Sequence, residues 1–249
     1  MNVIVTGGSG DIGGACCRLL AARGVDVLIV DSDGGAGELL ASEINQGTAG
    51  RALARSADVA VADDVRGYVA TAVDAWGIID GVVHAAGVAG PATPLPEFDE
   101  AEFDRVMAVN ARGVFLGLKF ALPYVRAGGA VVNVASVSGI SGYPQVAAYV
   151  ASKHAVIGLT RTAALEGAAS GIRVNAVCPG PIEGRLMAAA RVGYSFPASE
   201  DPFLSGVPLD RYGSPIEVAE TIAFLLSEAA SFITGATLPI DGGLTVSPS

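Results

Sequence analysis

The sequence predicts an α/β fold: one domain built on a doubly wound parallel sheet of about seven strands, with helices on both faces. Three observations carry this. Short runs of Val, Ile and Leu alternate with helix-period segments from Val3 to Ile240, and strict alternation of that kind implies right-handed crossovers and a parallel sheet. A glycine cluster sits between the first strand and the first helix. The 249 residues suffice for one large domain, residues 1–249, and contain no linker, repeat or low-complexity tract.

The first strand, Val3-Ile4-Val5-Thr6, runs into Gly7-Gly8-Ser9-Gly10-Asp11-Ile12-Gly13, after which Cys16, Leu19 and Leu20 recur at helical spacing. Glycines at a strand–helix turn permit positive φ and close approach of a ligand, and the free amides of the helix N-terminus attract phosphate. Gly8-x-Gly10-x-x-Gly13 thus reads as the phosphate turn of a Rossmann-type dinucleotide fold. The second strand, Val27–Val30, ends at Asp31, eighteen residues after Gly13 and followed by Ser32. A carboxylate there accepts hydrogen bonds from both adenosine ribose hydroxyls and repels a 2′-phosphate, so NAD is expected in preference to NADP.

The alternation continues with a helix near 37–45, a strand near 51–54, a helix over about 63–76 and a strand at 81–84. Asp58-Val59 and Ala85-Ala86-Gly87 fall at carboxyl ends of strands, where such sheets bind ligands. His84, ending an apolar strand, reads as a packed, hydrogen-bonded residue and not as a base. A helical stretch over about 99–126 carries Asn110 and a stripe of Arg105, Arg112, Lys119 and Arg126, seven residues apart, expected to be solvated or to face a subunit. A strand over 130–135 delivers Ser136, and the next helix carries Tyr149 and Lys153 towards Ala169. Its apolar residues surround much of the circumference, which calls for cover on both sides. A strand over 173–178 ends in Pro179-Gly180-Pro181-Ile182, and 183–209 reads as an irregular substrate loop. Pro215 opens a helix to about Leu226, and Thr237–Ile240 is the last strand.

The chemistry concentrates between Val131 and Lys153. Ser136 precedes Tyr149 by thirteen residues, and Lys153 follows four later, one turn along the same helix face. A phenol of pKa about 10 is a poor base at neutral pH, and a nearby cation favours the phenolate. Lys119 and Lys153 are the only lysines, and no other charge lies between Ala127 and Ser152. Ser136 is then the second hydrogen-bond partner of a carbonyl or hydroxyl oxygen.

A formal charge of −10 and a pI near 4.6 argue against nucleic acid, an anionic membrane surface or an acidic carrier protein as partner. Mean hydropathy is +0.51, yet Gly, Pro, Asn or Ser interrupts every long uncharged stretch, so no membrane span is expected. Cys16, Cys17 and Cys178 lack metal-ligand spacing and leave an odd count, so neither a metal site nor a disulfide framework is expected. Met1-Asn2 leads straight into a strand, and a cytoplasmic location is expected.

Across essentially its whole length the sequence resembles the short-chain dehydrogenase/reductase family. Thr6-Gly7-x-x-x-Asp11-Ile12-Gly13 is similar to the cofactor glycine motif, Asp58-Val59 to the adenine contact, Ala85-Ala86-Gly87 to the ribose-side turn, and Pro179-Gly180 to the turn beside the nicotinamide. Asn110, Ser136, Tyr149 and Lys153 match the family tetrad. The resemblance implies that Tyr149 is the general acid/base, that Ser136 orients the substrate oxygen, that Lys153 also holds the nicotinamide ribose, and that Asn110 fixes a water. Gly7, Ser9, Asp11, Ile12, Gly13, Asp31, Ser32, Asp58, Val59, Ala85, Ala86, Gly87, Pro179, Gly180 and Ile182 would contact the cofactor beside Tyr149 and Lys153. Three positions depart from the pattern: Asp11 replaces the middle glycine, His84-Ala85 replaces a pair of asparagines that tie neighbouring strands, and Gly184 replaces a threonine.

The resulting expectation is an NAD-dependent enzyme acting on a secondary alcohol or ketone of moderate size, alicyclic or aromatic, walled by Leu186, Met187, Tyr194, Phe196, Phe203 and Leu204. Arg185 and Arg191 read as surface charges, and they leave an anionic substrate open. A homotetramer or homodimer is expected by resemblance. The alternatives are a 3-oxoacyl-carrier-protein reductase, against which Asp31 and Ser170 speak, an NAD-sensing protein, against which the complete tetrad speaks, and a cofactor-free dehalogenase, against which Lys153 and the phosphate turn speak.

Overall fold

The computed structural model describes residues 1–193, 201 and 203–247. Its strands are β1 Asn2–Thr6, β2 Asp26–Asp31, β3 Ala52–Ser56, β4 Ile79–His84, β5 Val125–Val134, β6 Arg173–Pro179 and β7 Thr237–Ile240. They form one sheet of seven in the order β3-β2-β1-β4-β5-β6-β7, every pair parallel. The helices are α1 Asp11–Ala22, α2 Gly34–Gly47, α3 Ala62–Trp76, α4 Glu100–Met107, α5 Gly113–Ala121, α6 Ala147–Ala168, α7 Arg185–Gly193 and α8 Pro215–Leu226.

Side chains in a strand alternate between faces, and the two cores show it directly. Val3, Val5, Val27 and Ile29 join residues of α1, α2 and α8 in one core. Ile4, Leu28 and Val30 join those of α3, α5 and α6 in the other. The central strands are therefore apolar on both faces, which is why their sequences read as continuous Val and Ile runs. Strand order reverses between β1 and β4, which opens a crevice at their carboxyl ends.

Two sequence expectations need correction. The helical run expected to reach Arg126 stops in a short 3₁₀ turn at Leu122–Tyr124, where Pro123 withholds an amide, and β5 starts at Val125 instead of Ala130. Register between β4 and β5 jumps from Ile79↔Val125 to Gly81↔Ala130. Gly128, at φ +81°, lets the strand absorb the excess residues. The basic stripe consequently breaks up. Arg126 sits in β5 and pairs with Asp80, Arg105 pairs with Glu102, Arg112 donates to the Ala60 carbonyl, and Lys119 lies over the Phe115 and Phe120 rings. The second correction concerns 183–209, whose first part is the helix α7, consistent with the strong helix formers in Arg185-Leu-Met-Ala-Ala-Ala.

The run Glu100–Tyr124 is long and apolar enough to cross a membrane. Half of its most apolar stretch is buried, and Val114, Leu116, Leu118 and Ala121 belong to the core, so its hydropathy is that of a core helix. The inner face of α6 is buried as well, whereas Leu165 on its outer face is 81% exposed.

Candidate active site

Glycine is required where the crevice is tightest. Gly7 has φ +62°, and a Cβ there would lie 2.6 Å from the Ala86 amide nitrogen, so the turns after β1 and β4 touch backbone to backbone. A Cβ on Gly13 would lie 2.1 Å from the Gly7 carbonyl oxygen. The first turn of α1 leaves amides without helical acceptors, and Gly10 offers no side chain to cap them. At the end of β2, Asp31 Oδ2 accepts from the Ser9 amide at 3.0 Å and Oδ1 from Asp33 at 3.2 Å, with exposed Ser32 between them. The turn and the carboxylate are thus assembled around one crevice, and the arrangement fits a dinucleotide.

The remaining cofactor candidates line the same strand ends. Asp58 lies in a turn closed by Ala60, whose amide donates to Oδ1 at 2.8 Å. Val59 is buried, with its side chain turned onto Gly113 of α5. Ala85 continues the sheet by donating to the Thr6 carbonyl. Gly87 keeps open a space that a Cβ would fill, 3.3 Å from Asn110 Oδ1 and 3.4 Å from Lys153 Nζ. Pro179 ends β6, the Gly180 amide donates to the Ile240 carbonyl at 3.0 Å, and Ile182 bridges to Gly213.

The tetrad converges from three elements. Ser136 leaves β5 and caps a 3₁₀ turn through a bond from the Ser138 amide at 3.1 Å. That turn is pressed onto α6 at Gly139, where a Cβ would lie 2.8 Å from the Lys153 carbonyl oxygen. Ser136 is thereby brought within hydrogen-bonding reach of the Tyr149 hydroxyl. Lys153 is 5% exposed, its Nζ 5.5 Å from the Tyr149 ring centre and donating to the Val134 carbonyl at 2.9 Å. Asn110 is fully buried in a π-helical turn, Ala108–Arg112, between α4 and α5. Both its amide hydrogens are committed, one to Val88 O at 2.9 Å and one to Ser152 Oγ at 3.0 Å, while Oδ1 accepts from the Val88 amide. Ser152 in turn donates to the Tyr149 carbonyl at 2.8 Å.

Charge in the site is ruled by burial. Burial raises the Tyr149 phenol above its usual range, and the Ser136 hydrogen bond pulls it part of the way back. The depression expected from Lys153 is therefore not what dominates in the protein alone. Burial also lowers the Lys153 ammonium to about 8 and raises the Cys178 thiol to about 11.

The departures are resolved differently. His84 is buried, and its Nδ1 donates to Asn133 Oδ1 at 2.7 Å, so an imidazole supplies the tie expected from an amide. Asn133 continues the chain to Thr160 Oγ1 at 2.8 Å, which joins β4 and β5 to α6. Asp11 and Gly184 prove to be neighbours, and Arg185, taken for a surface charge, bonds to both Asp11 and Ser9. No single-position motif signals that contact. Of the expected substrate wall, Leu186 is exposed, Met187, Phe203 and Leu204 are half-buried, and Tyr194, Phe196 and the Arg191 side chain lie outside the described residues.

A parallel seven-stranded sheet whose order reverses beside a glycine-rich turn, with Asp31 at the end of β2 and Ser136, Tyr149, Lys153 and Asn110 gathered nearby, is the arrangement of a dinucleotide-binding fold. The sequence matches the family described as enoyl-(acyl carrier protein) reductase over residues 8–245. It is 39% identical to levodione reductase of Leifsonia aquatica, with 97% of this chain and 92% of that protein aligned. It is 42% identical to cis-4-hydroxycyclohexanecarboxylate dehydrogenase of Sinomonas cyclohexanicum, with 97% and 95% aligned. The crystal structure of NAD⁺-bound xylitol dehydrogenase superposes with a TM-score of 0.89 at 34% identity, covering 97% of this chain and 98% of that one. The chain belongs to the short-chain dehydrogenase/reductase family.

Proposed function

We propose that this protein is an NAD-dependent dehydrogenase of secondary alcohols, or in reverse a ketone reductase, with Tyr149 as general acid/base. The observation that carries the reading is the convergence of Ser136, Tyr149 and Lys153 beside the phosphate turn, with Asp31 at the end of β2. Asp31 favours NAD over NADP because its carboxylate suits ribose hydroxyls and repels a phosphate. The turn from Gly7 to Gly13, Asp58-Val59, Ala85 to Gly87, and Pro179, Gly180 and Ile182 would line the remainder of the bound dinucleotide. That cofactor would supply a hydride acceptor or donor and, when oxidised, a positive charge.

In the oxidising direction Tyr149 takes the hydroxyl proton of the substrate while Ser136 donates to the same oxygen and orients it. The phenol's elevated pKa must be brought down for this: Lys153 places one cation beside the ring, and an oxidised nicotinamide would add a second. Asn110 has no free amide hydrogen, so a water at this position would be held by its backbone carbonyl, which a π turn can release from regular helical bonding. The proton then leaves through that water. General acid/base catalysis contributes roughly 10²- to 10⁴-fold.

The hydroxycyclohexanecarboxylate enzyme acts, by its name, on a ring-borne hydroxyl, which supports an alicyclic substrate. Leu186, Met187, Phe203 and Leu204 are its proposed wall. We place the protein in the cytoplasm as a homotetramer or homodimer, and exposed Phe103, Phe115 and Leu165 on α4, α5 and α6 support the assembly. The test is absorbance at the reduced-nicotinamide band with a panel of cyclic and aromatic secondary alcohols, NAD⁺ against NADP⁺, alongside Tyr149→Phe. Expected is turnover with NAD⁺ that falls at least about 10²-fold in the variant while NADH still binds. Undiminished turnover in the variant would remove Tyr149 from the reaction.

A further inference from the structure

Asp11 and Gly184 lie 173 positions apart in the sequence and meet in space. A Cβ on Gly184 would lie 2.4 Å from Asp11 Oδ2, and Gly184 is held at φ +143°, where a side chain is strained. The start of α7 receives the Asp11 carboxylate. The Arg185 amide donates to Asp11 Oδ2 at 2.7 Å, Arg185 Nε lies 3.5 Å from Asp11 Oδ1, and Arg185 Nη2 donates to the Ser9 carbonyl at 2.8 Å. The side chain added at position 11 thus occupies space left by the one missing at position 184.

Charge gives this contact its consequence. Asp31 accepts from the Ser9 amide on the other side, so the phosphate turn lies between two carboxylates. Its unpaired helix amides suit a diphosphate, whereas a second fixed anion opposes one. A cleft of about 750 Å³ on the outer side of the turn is bordered by Arg18 and Arg185. Arg18 is engaged with Glu43 through two bonds of 2.8 and 2.9 Å. Arg185 is the cation directed at Asp11. With side chains 69% and 32% exposed, this ion pair contributes little to folding, and its effect falls on anion binding.

We propose that Arg185 is a positioning residue for the dinucleotide: it holds and neutralises Asp11, so that a phosphate turn carrying a carboxylate accepts a diphosphate. The inference rests on the dinucleotide reading given above. It is tested by fluorescence titration of NADH and NADPH, with thermal melts, on the unmodified protein, Arg185→Ala, Arg185→Lys, Asp11→Gly and the Asp11→Gly/Arg185→Ala double variant. Expected is a loss of NADH affinity of about 10-fold in Arg185→Ala at low salt, mostly recovered in Arg185→Lys. With Asp11→Gly already present, removing Arg185 is expected to change affinity by less than about 2-fold, and the melting temperatures stay close together. Equal losses with and without Asp11 would overturn the inference, as would no loss at all, and in either case NADH binding by the unmodified protein would leave the dinucleotide reading standing. If the unmodified protein binds neither nucleotide, the dinucleotide reading fails and takes the inference with it.

Discussion

His84→Asn isolates one buried imidazole and allows its energetic effect to be worked out. His84 donates from Nδ1 to Asn133, and its Nε2 has no partner among the described residues. A Cβ on Gly117 would lie 2.1 Å from that nitrogen, so α5 rests against the ring. Burial holds the imidazole down to about 4, against an ordinary value of 6.5, despite the opposing Asn133 bond. As pH falls below 6.5 the unfolded chain takes up a proton that the folded ring refuses until about pH 4. The unfolded state binds more protons throughout that window, so stability is lost as pH falls, by about 3 kcal/mol in all at 1.36 kcal/mol per pH unit. Urea unfolding of both proteins at fixed concentration from pH 4 to 8 checks this, because carboxylate titrations common to both cancel in the difference. The difference should move by about 3 kcal/mol in favour of the asparagine variant between pH 7 and pH 4. A pH-independent difference would refute the reasoning, since it would mean the folded ring titrates like a solvated one.

Other substitutions probe the cofactor site and the core. Under the proposed NAD reading, Asp31→Ala should lower NADH affinity and shift the NADH/NADPH affinity ratio towards NADPH by about 10-fold or more, read by titration, because the carboxylate proposed to accept from the ribose hydroxyls and repel a 2′-phosphate is removed. Arg173→Met strips donors from the Leu225, Leu226 and Ser227 carbonyls at the end of α8. It should destabilise by about 2–4 kcal/mol, seen as a lower urea midpoint at unchanged slope. For Lys153, held at about 8 by burial, the sign follows the histidine case. An unfolded lysine keeps its proton to about 10.4, so the penalty of burying the ammonium is full below pH 8 and fades as pH rises. Relative to the native protein, Lys153→Met should therefore be favoured at pH 7 over pH 10.5 by about 3 kcal/mol, in unfolding curves, while its turnover disappears.

The sheet was legible because its signals are local. Strands buried on both faces must be apolar throughout, and Thr237–Ile240 could be read to the residue between turn-forming neighbours. The β5 boundary was not, because Val125 to Gly129 has no strand pattern of its own. Those residues are drawn into β5 by pairing with β4, through Ile79↔Val125 and a glycine kink. Helix α7 was hidden by the Pro and Gly residues around it. Its first turn is satisfied by Asp11, a residue remote in sequence, and periodicity in a window carries no trace of such a partner.

For the site, spacing singled out Ser136, Tyr149 and Lys153 and the family resemblance added Asn110, whereas their electrostatics depend on burial, which neither carries. A Tyr-x-x-x-Lys turn places phenol and ammonium together whether or not water reaches them, whereas their pKa values depend on that water. Burial moves Tyr149 up and Lys153 down, so in the protein alone it works against both charged forms. A base cannot be made from this pair by proximity. Beyond the Ser136 hydrogen bond already present, it would require a further stabilisation of the phenolate, of the kind that the positive charge of an oxidised nicotinamide would supply. The same burial that disfavours the phenolate beforehand strengthens its response to such a charge, because the low dielectric enlarges every interaction once it is made.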